Sequence, residues 1–332
     1  QFQGCLYFIL KRIETMKLLI NMIKVFVTGL GILILLVSLL FGYRDIPVAE
    51  LKATYALDPS AFLTVDGMEV HYRDQGYSND SIPIVLIHGT GASLHTFDAW
   101  SNELQKKYRL ITMDLPGFGL TGPFPDRNYS MDHYVKFVEK FLDSMGVSKC
   151  IIGGNSLGGA VAWKFAAKNP QMVNKLILID AAGYPLKSES VPVAFRVARI
   201  PVLNKVLTFI TPRGMVRSSV ENVYADPSKV TEALVDRYFK LTLREGNRQA
   251  LVDRMSAEGH MDHADMIKGI RHPTLVLWGE KDLLIPVSYA HRFHRDLPNS
   301  KLVILESMGH VPMEESPEES LVPVLDFLNV TN

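Results

Sequence analysis

The chain is poor in cysteine. Cys5 and Cys150 are the two cysteines in 332 residues, and they lie far apart. Such a pair gives neither a disulfide framework nor the spacing of a zinc site. Cys150 sits in an apolar run and reads as a buried strand position rather than a reactive thiol. Charge of one sign is not in excess either, since 35 Lys and Arg balance 35 Asp and Glu. No global field therefore favours nucleic acid. No repeat, low-complexity tract or long run of like charge is visible. A chain of this length can hold one large α/β domain plus an insertion.

Between Val25 and Phe41 charge is missing altogether, and back to Leu18 the strongly polar residues are Asn21 and Lys24. A helix of about 20 apolar residues crosses a bilayer core. Lys11, Arg12, Lys17 and Lys24 precede the run; Arg44, Asp45 and Glu50 follow it. The positive-inside rule then puts the N-terminus in the cytoplasm and the rest of the chain on the non-cytoplasmic side. Residues 18–42 are expected to be an uncleaved single-pass anchor. The rival is a cleaved signal peptide and a secreted protein. The long apolar run and the lack of a clean A-x-A site weigh against it. A buried globular helix fits worse, because one polar face is missing. Residues 1–17 read as an extension, foreign before Met16, where Met16-Lys17 makes a natural start. Residues 43–61 read as a linker.

The segment Gly154-Asn155-Ser156-Leu157-Gly158 carries the most information. The strand-like run Cys150-Ile151-Ile152-Gly153 precedes it, and a small-residue helical run from Gly159 to Ala167 follows. Strand, G-x-S-x-G and helix together form a nucleophile elbow, in which a tight turn exposes the serine hydroxyl. The Leu157 N–H would sit at a helix N-terminus, where partial positive charge helps to hold an oxyanion. The competing reading is a glycine-rich turn that serves packing.

Further segments favour catalysis. The apolar strand Pro83–Ile87 leads into His88-Gly89-Thr90-Gly91, a loop able to supply a second oxyanion N–H, with Thr90 the candidate donor. The strand Thr274–Trp278 leads into Gly279-Glu280-Lys281-Asp282, and Lys301–Leu305 leads into Glu306-Ser307-Met308-Gly309-His310. A carboxylate and a histidine thus follow successive strands downstream of the serine. Serine needs an adjacent base, which His310 supplies, and Asp282 holds the imidazole in its working tautomer. Asp180 also ends a strand and stays open as an alternative acid. Asp114 reads as a turn residue that satisfies local N–H groups.

In this order the segments resemble α/β-hydrolase-fold serine hydrolases with a cap domain, of carboxylesterase or lipase type, from about Phe62 to Leu328. Asp114-Leu115-Pro116-Gly117-Phe118-Gly119 and His310-Val311-Pro312-Met313-Glu314 resemble the family's turn after the fourth strand and its histidine loop. The resemblance implies a mostly parallel sheet with helices on both faces. It places the hydrolase core in 62–182 and 264–332, around a helical cap in 183–263. It implies Ser156, Asp282 and His310 as catalytic residues, Leu157 and Thr90 as the oxyanion hole, and no cofactor or metal. Related haloalkane dehalogenases and epoxide hydrolases use Asp as nucleophile, so Ser156 argues against both chemistries.

The expected activity is hydrolysis of carboxylic esters, with an apolar acyl or alcohol part, through an acyl-enzyme. Gly154-Asn155-Ser156 also resembles the elbow of carbon–carbon hydrolases that act on ring-cleavage dienoates. Those resemble Gly-His-Trp at the histidine loop, whereas Val311 follows His310 here. A non-catalytic binder on the same fold is the other alternative. Within the cap, helices are expected at Val193 to Ala198, Val202 to Ile210 and Val230 to Leu243. Phe195, Val206, Phe209, Ile210, Tyr224 and Phe239 are candidates to line an apolar pocket, although most of these could simply pack the cap. Arg196, Arg199, Arg248 and Arg254 are candidate cations, with solvated helix faces as the plainer reading. Gly259–His263 reads as a hydrogen-bonded loop rather than a metal site.

Overall fold

The computed structural model describes residues 2–77, 82–257 and 264–329. Apolar runs pair into one eight-stranded sheet: β1 Ser60–Val65, β2 Met68–Gln75, β3 Ile84–Ile87, β4 Leu110–Met113, β5 Cys150–Asn155, β6 Val173–Ile179, β7 Thr274–Gly279 and β8 Ser300–Leu305. The spatial order is β1-β2-β4-β3-β5-β6-β7-β8. β2 pairs antiparallel with β1 and β4, and the remaining neighbours pair parallel. This is the mostly parallel α/β architecture that the strand–helix alternation implies.

Local chemistry explains the elements. β1 and β2 meet at Asp66-Gly67, with φ of 49° and 79°. Both central residues are left-handed, as the preferred two-residue hairpin turn demands. The central strands are buried along their length, and their side chains alternate between two cores. Val85 and Ile87 of β3 enter one core; Ile84 and Leu86 enter the other. In β7, Val276 and Trp278 oppose Leu275 and Leu277 in the same way. Covered on both faces, such strands read as continuous apolar runs. Cys150 is one of them, and burial pushes its thiol up to about 12. The helix Met131–Ser144 begins at Ser130, whose hydroxyl accepts the His133 N–H. Tyr129 and Tyr134, on either side of that cap, sit with ring centroids 6.2 Å apart.

Between β6 and β7 the described residues form the helices Val193–Ala198, Leu203–Leu207, Arg213–Glu221, Glu232–Thr242, Asn247–Ser256 and Ala264–Lys268. The helix expected over Val202 to Ile210 is shorter, because Val202 has φ 72° and leaves the helical region. Gly259–His263 lies outside the described residues.

The chain falls into two compact units. In one, the helix Phe2–Phe41 is followed by Gly42 and Tyr43, which pair with Phe209 and Ile210; the Tyr43 N–H donates to the Phe209 carbonyl at 3.1 Å. Leu10–Phe41 of this helix is long and apolar enough to cross a membrane. The other unit holds the sheet and its helices.

The stretch 43–61, expected to be a linker, is folded. The helix Val48–Tyr55 occupies it and buries Leu51 against Leu120 and Leu241. Ile46 donates to the Leu243 carbonyl at 2.7 Å, and Asp45 pairs with buried Arg248 at 2.7 Å. Few apolar positions in a short helix leave little periodic signal, so tertiary contacts decide this segment. A chain that begins at Arg44 should therefore melt higher than one that begins at Leu51. Thermal unfolding followed by circular dichroism tests this, and equal midpoints would contradict it.

Candidate active site

β5 delivers the chain to Ser156, and the helix Leu157–Lys168 starts directly after it. Ser156 adopts φ 53° and ψ −113°. A non-glycine residue in so sparse a region costs of order 1–3 kcal/mol and persists where the surroundings hold it. Its N–H donates to the Ile179 carbonyl at 3.0 Å, and its carbonyl accepts from Ala160 at 3.0 Å and Ala182 at 3.1 Å. The two flanking glycines answer to contact. A Cβ on Gly154 would stand 2.4 Å from the Gly158 carbonyl carbon, and one on Gly158 would stand 2.0 Å from the Ile87 carbonyl oxygen. Any side chain at either position would push the helix off the sheet.

The acid and the histidine come together from the loops after β7 and β8. Asp282 Oδ1 accepts the N–H groups of Leu284 at 2.8 Å and Ile285 at 2.9 Å. Its Oδ2 lies 2.6 Å from His310 Nδ1, and both residues are buried. With Nδ1–H donating to the carboxylate, Nε2 is the basic nitrogen. The spacing is that of a hydrogen bond. Two ligands of one ion would stand about 3.3 Å apart, at metal–ligand lengths near 2 Å. The His310 backbone is clamped at both ends: its N–H donates to the Val223 carbonyl at 2.8 Å, and its carbonyl accepts Asn155 Nδ2 at 2.8 Å. Glu315 adds to the clamp, with Oε2 accepting the Gly309 N–H at 2.7 Å and Oε1 the Asp226 N–H at 2.8 Å. Asn155 and Glu315 were missed in the sequence, because their partners are main-chain atoms, among them those of His310, Ala225 and Asp226, 89 or more positions distant.

The loop after β3 is pinned by His88. Its Nδ1–H donates to the Gly89 carbonyl at 2.7 Å, and its Nε2 accepts the Leu115 N–H at 2.9 Å. Burial lowers the His88 pKa, so the ring stays neutral and serves both bonds. Gly89 approaches the elbow so closely that a Cβ there would meet Ser156 Cβ at 3.1 Å. The loop thereby brings Thr90 to a cavity of about 580 Å³ that Ser156 and Leu157 also line. Ala160, Tyr184, Leu186, Leu284 and Ile285 add an apolar wall. The helical stretch between β6 and β7 contributes Phe195, Arg199, Arg254 and Met255.

Of the expected lining residues, Phe195 faces this cavity. Tyr224 and Phe239 pack in the core, Val206 is exposed, and Phe209 and Ile210 belong to the unit of the N-terminal helix. Of the candidate cations, Arg199 and Arg254 line the cavity, whereas Arg248 binds Asp45.

Residues 82–210 match the family described as alpha/beta hydrolase fold. The chain is also 30% identical over 276 residues to a 2-hydroxy-6-oxo-6-(2'-aminophenyl)hexa-2,4-dienoic acid hydrolase of Metapseudomonas resinovorans, covering 81% of this chain and 90% of that one. The chain belongs to the alpha/beta hydrolase family. Among solved structures, this alpha/beta hydrolase is similar to a membrane phospholipase A, with a TM-score of 0.71, 25% identity and coverage of 94% of this chain and 98% of that one. It is also similar to a serine hydrolase involved in carbazole degradation, with a TM-score of 0.70, 27% identity and coverage of 82% and 99%.

Two other acids in this hydrolase resemble catalytic groups. Asp114 accepts the N–H groups of Leu94 at 2.7 Å and Leu120 at 2.8 Å, the local role expected of it. It also lies 2.7 Å from His71 Nδ1, and His71 Nε2 lies 2.9 Å from Ser60 Oγ. Burial alone would raise the Asp114 pKa, but the His71 contact holds it well below the usual carboxylate range. This second Ser–His–Asp chain sits on the antiparallel β1–β2 side, where Ser60 Oγ also accepts Arg73 Nε at 3.2 Å. It has no elbow, and its members do not line the cavity.

Asp180, the alternative acid, follows β6 at φ 45° and is fully buried. Its Oδ1 accepts the Gly279 N–H at 2.9 Å, and its carboxyl, that of Asp282 and the His310 ring lie within 4.8 Å of one another. Burial, and then the neighbouring Asp282 charge, raise the Asp180 pKa well above the carboxylate range. Asp180 therefore holds its proton more tightly than an ordinary carboxyl does.

Replacement of Asp282 by Asn should lower turnover by about 10⁴-fold, the scale for a triad acid lost with its geometry kept. Asp180→Asn should cost far less, and the opposite ranking in steady-state kinetics would move the acid to Asp180. Stability should respond too. Between its unfolded pKa, about 3.9, and its raised folded value, native Asp180 retains a proton that the unfolded chain loses. Stability then falls as pH rises through that window. The melting midpoint of Asp180→Asn relative to the parent should rise as pH is raised above the unfolded carboxyl value of about 3.9. A difference that does not change with pH would contradict a protonated Asp180.

Proposed function

We propose that this alpha/beta hydrolase cleaves carboxylic esters through an acyl-enzyme on Ser156. The observation that carries the reading is the Asp282–His310 pair, at 2.6 Å, in the same molecule as a strained serine at the mouth of a helix and a cavity. In the first step Ser156 Oγ attacks the ester carbonyl carbon while His310 Nε2 takes its proton. The carbonyl oxygen gains negative charge and is held by the N–H groups of Leu157 and Thr90. His310 then returns the proton to the alcohol oxygen as the C–O bond breaks. Water, deprotonated by the same nitrogen, attacks the acyl carbon and frees Ser156. Asp282 stabilises the imidazolium at both stages.

The helices between β6 and β7 act in this proposal as a cap that excludes water and shapes the substrate pocket. Support comes from Phe195, Arg199, Arg254 and Met255, which share the cavity with Ser156. The helix that ends at Phe41 serves as a single-pass anchor, with the hydrolase on the non-cytoplasmic side; secretion after cleavage is the alternative. Similarity to a membrane phospholipase A supports an ester substrate that resides in or near lipid.

Arg199 and Arg254 in the cavity favour a second reading, hydrolysis of a carbon–carbon bond in an acidic dienoate. Similarity to a dienoic acid hydrolase supports it. That reaction must first turn the dienol into a ketone so that a carbanion equivalent can leave. An ester needs no such step, and the alcohol departs with the proton that His310 already holds.

A fluorophosphonate probe should label Ser156 and leave Ser60 unlabelled. Ser156→Ala should abolish labelling and reduce turnover by about 10³-fold or more, while Ser60→Ala should retain both. Label found at Ser60, or persisting in Ser156→Ala, would remove the basis of the assignment. On a substrate panel, short and medium p-nitrophenyl esters should turn over, and ring-cleavage dienoates should turn over little. A dienoate with much larger kcat/KM than any ester would reverse the choice and make Arg199 and Arg254 substrate ligands.

Membrane fractionation tests the anchor. The full chain should stay with membranes through alkaline and high-salt washes, and release by salt would contradict an integral helix.

A further inference from the structure

From residue 191 to 220 the sequence contains no Asp or Glu, yet it contains Arg196, Arg199, Lys205, Arg213 and Arg217. Arg213 and Arg217 are spent on Glu232 and Asp236 of the neighbouring helix. Arg196 and Lys205 are exposed, and among them stand apolar side chains that also face solvent. Ile200, Val202, Leu203 and Val206 are 45%, 72%, 46% and 43% exposed. Leu207 turns the other way and is buried with Ala198, Val252 and Met255. The helix Leu203–Leu207 is thus apolar on its inner face and on its outer face as well. Scattered exposed apolar residues are ordinary. Four within seven positions, in a stretch of sequence with cations and no acid, form a patch of the kind that marks an interaction surface.

The same segment borders the candidate active site, since Phe195 and Arg199 line the Ser156 cavity. Along the chain, Val206 lies just before Phe209, whose carbonyl accepts the Tyr43 N–H at the end of the apolar N-terminal helix. Apolar side chains seek hydrocarbon, and neighbouring Lys and Arg seek anionic headgroups; one partner offering both is a lipid leaflet. We propose that Ile200, Val202, Leu203 and Val206, with Arg196 and Lys205, dock on a bilayer leaflet that carries anionic phospholipid. The docked face presents the adjoining cavity to the lipid, so that an apolar ester reaches Ser156 from the bilayer rather than through water. The role rests on the proposed anchor and hydrolase activity; the contact itself is read without turnover.

The full chain is reconstituted in vesicles of phosphatidylcholine with phosphatidylglycerol, with and without bromine on the acyl chains. Trp100, Trp163 and Trp278 are buried, so Val202→Trp adds an emitter that reports this face. Val322→Trp, at an exposed position of the helix Pro317–Asn329, is the control. Brominated lipid should quench the added emission at 202 and not at 322, and omission of phosphatidylglycerol should weaken the quenching. Flotation with the vesicles but no greater quenching at 202 than at 322 overturns the docking while leaving the anchor standing. Failure to float overturns both. Quenching that is indifferent to phosphatidylglycerol overturns the anionic component.

Leu203→Glu with Val206→Glu should cut hydrolysis of a vesicle-held long-chain ester by about tenfold or more. The same variant should leave p-nitrophenyl butyrate turnover near the parent's. Equal loss on both substrates overturns the docking role. Absence of Ser156 labelling with quenching at 202 intact would count against the hydrolase reading alone.

Discussion

The helix Leu157–Lys168 lies against β3 closely enough that no Cβ fits at Gly158, where one would stand 2.0 Å from the Ile87 oxygen. The rest of the site follows from that approach. It forces the chain to reverse within Ser156 itself, at φ 53°. It brings Gly89 of the next loop against the serine, and with it Thr90. It also leaves Asn155, on the turn's other side, able to hold the His310 carbonyl at 2.8 Å. The proposed nucleophile, oxyanion donors and base are thus tied to one packing contact between a helix and a sheet. Strain at Ser156 is offset by the hydrogen bonds from Ala160 and Ala182 to its carbonyl.

The composition of a triad is weaker information than its setting. Ser60, His71 and Asp114 form as complete a hydrogen-bonded chain as Asp282 with His310. What separates them is the strained turn, the helix N-terminus and the cavity, which gather at Ser156. The two carboxylates near His310 make a similar point. Asp282 accepts two main-chain N–H groups and reaches His310, whereas Asp180 accepts the Gly279 N–H and its pKa is raised by burial and by the neighbouring carboxylate.

Much of this was legible in the chain. The parallel core could be read because strands covered on both faces are apolar throughout, as in Ile84–Ile87. The elbow could be read because its glycines are demanded by contact. The helix Val48–Tyr55 could not, since its register depends on Leu120 and Leu241 far along the chain. Of the six apolar lining candidates Phe195 reached the cavity, because short helices give little indication of which face turns inward. Asn155, His88 and Glu315 each also bind a main-chain atom of a distant loop, at His310, Leu115 and Asp226, and no spacing in the sequence encodes such partners.

The central claim is a covalent bond between Ser156 and the acyl group, which a rapid-quench experiment tests most directly. The full chain is mixed with a p-nitrophenyl ester, stopped in acid within the first turnover, digested and mapped by mass. An acyl increment on the peptide that contains Ser156, formed as fast as p-nitrophenol is released and lost at the steady-state rate, is the expected result. Release of p-nitrophenol in a burst with the acyl group on another residue would contradict the route. So would turnover in which no acylated peptide forms and water attacks the ester carbonyl directly.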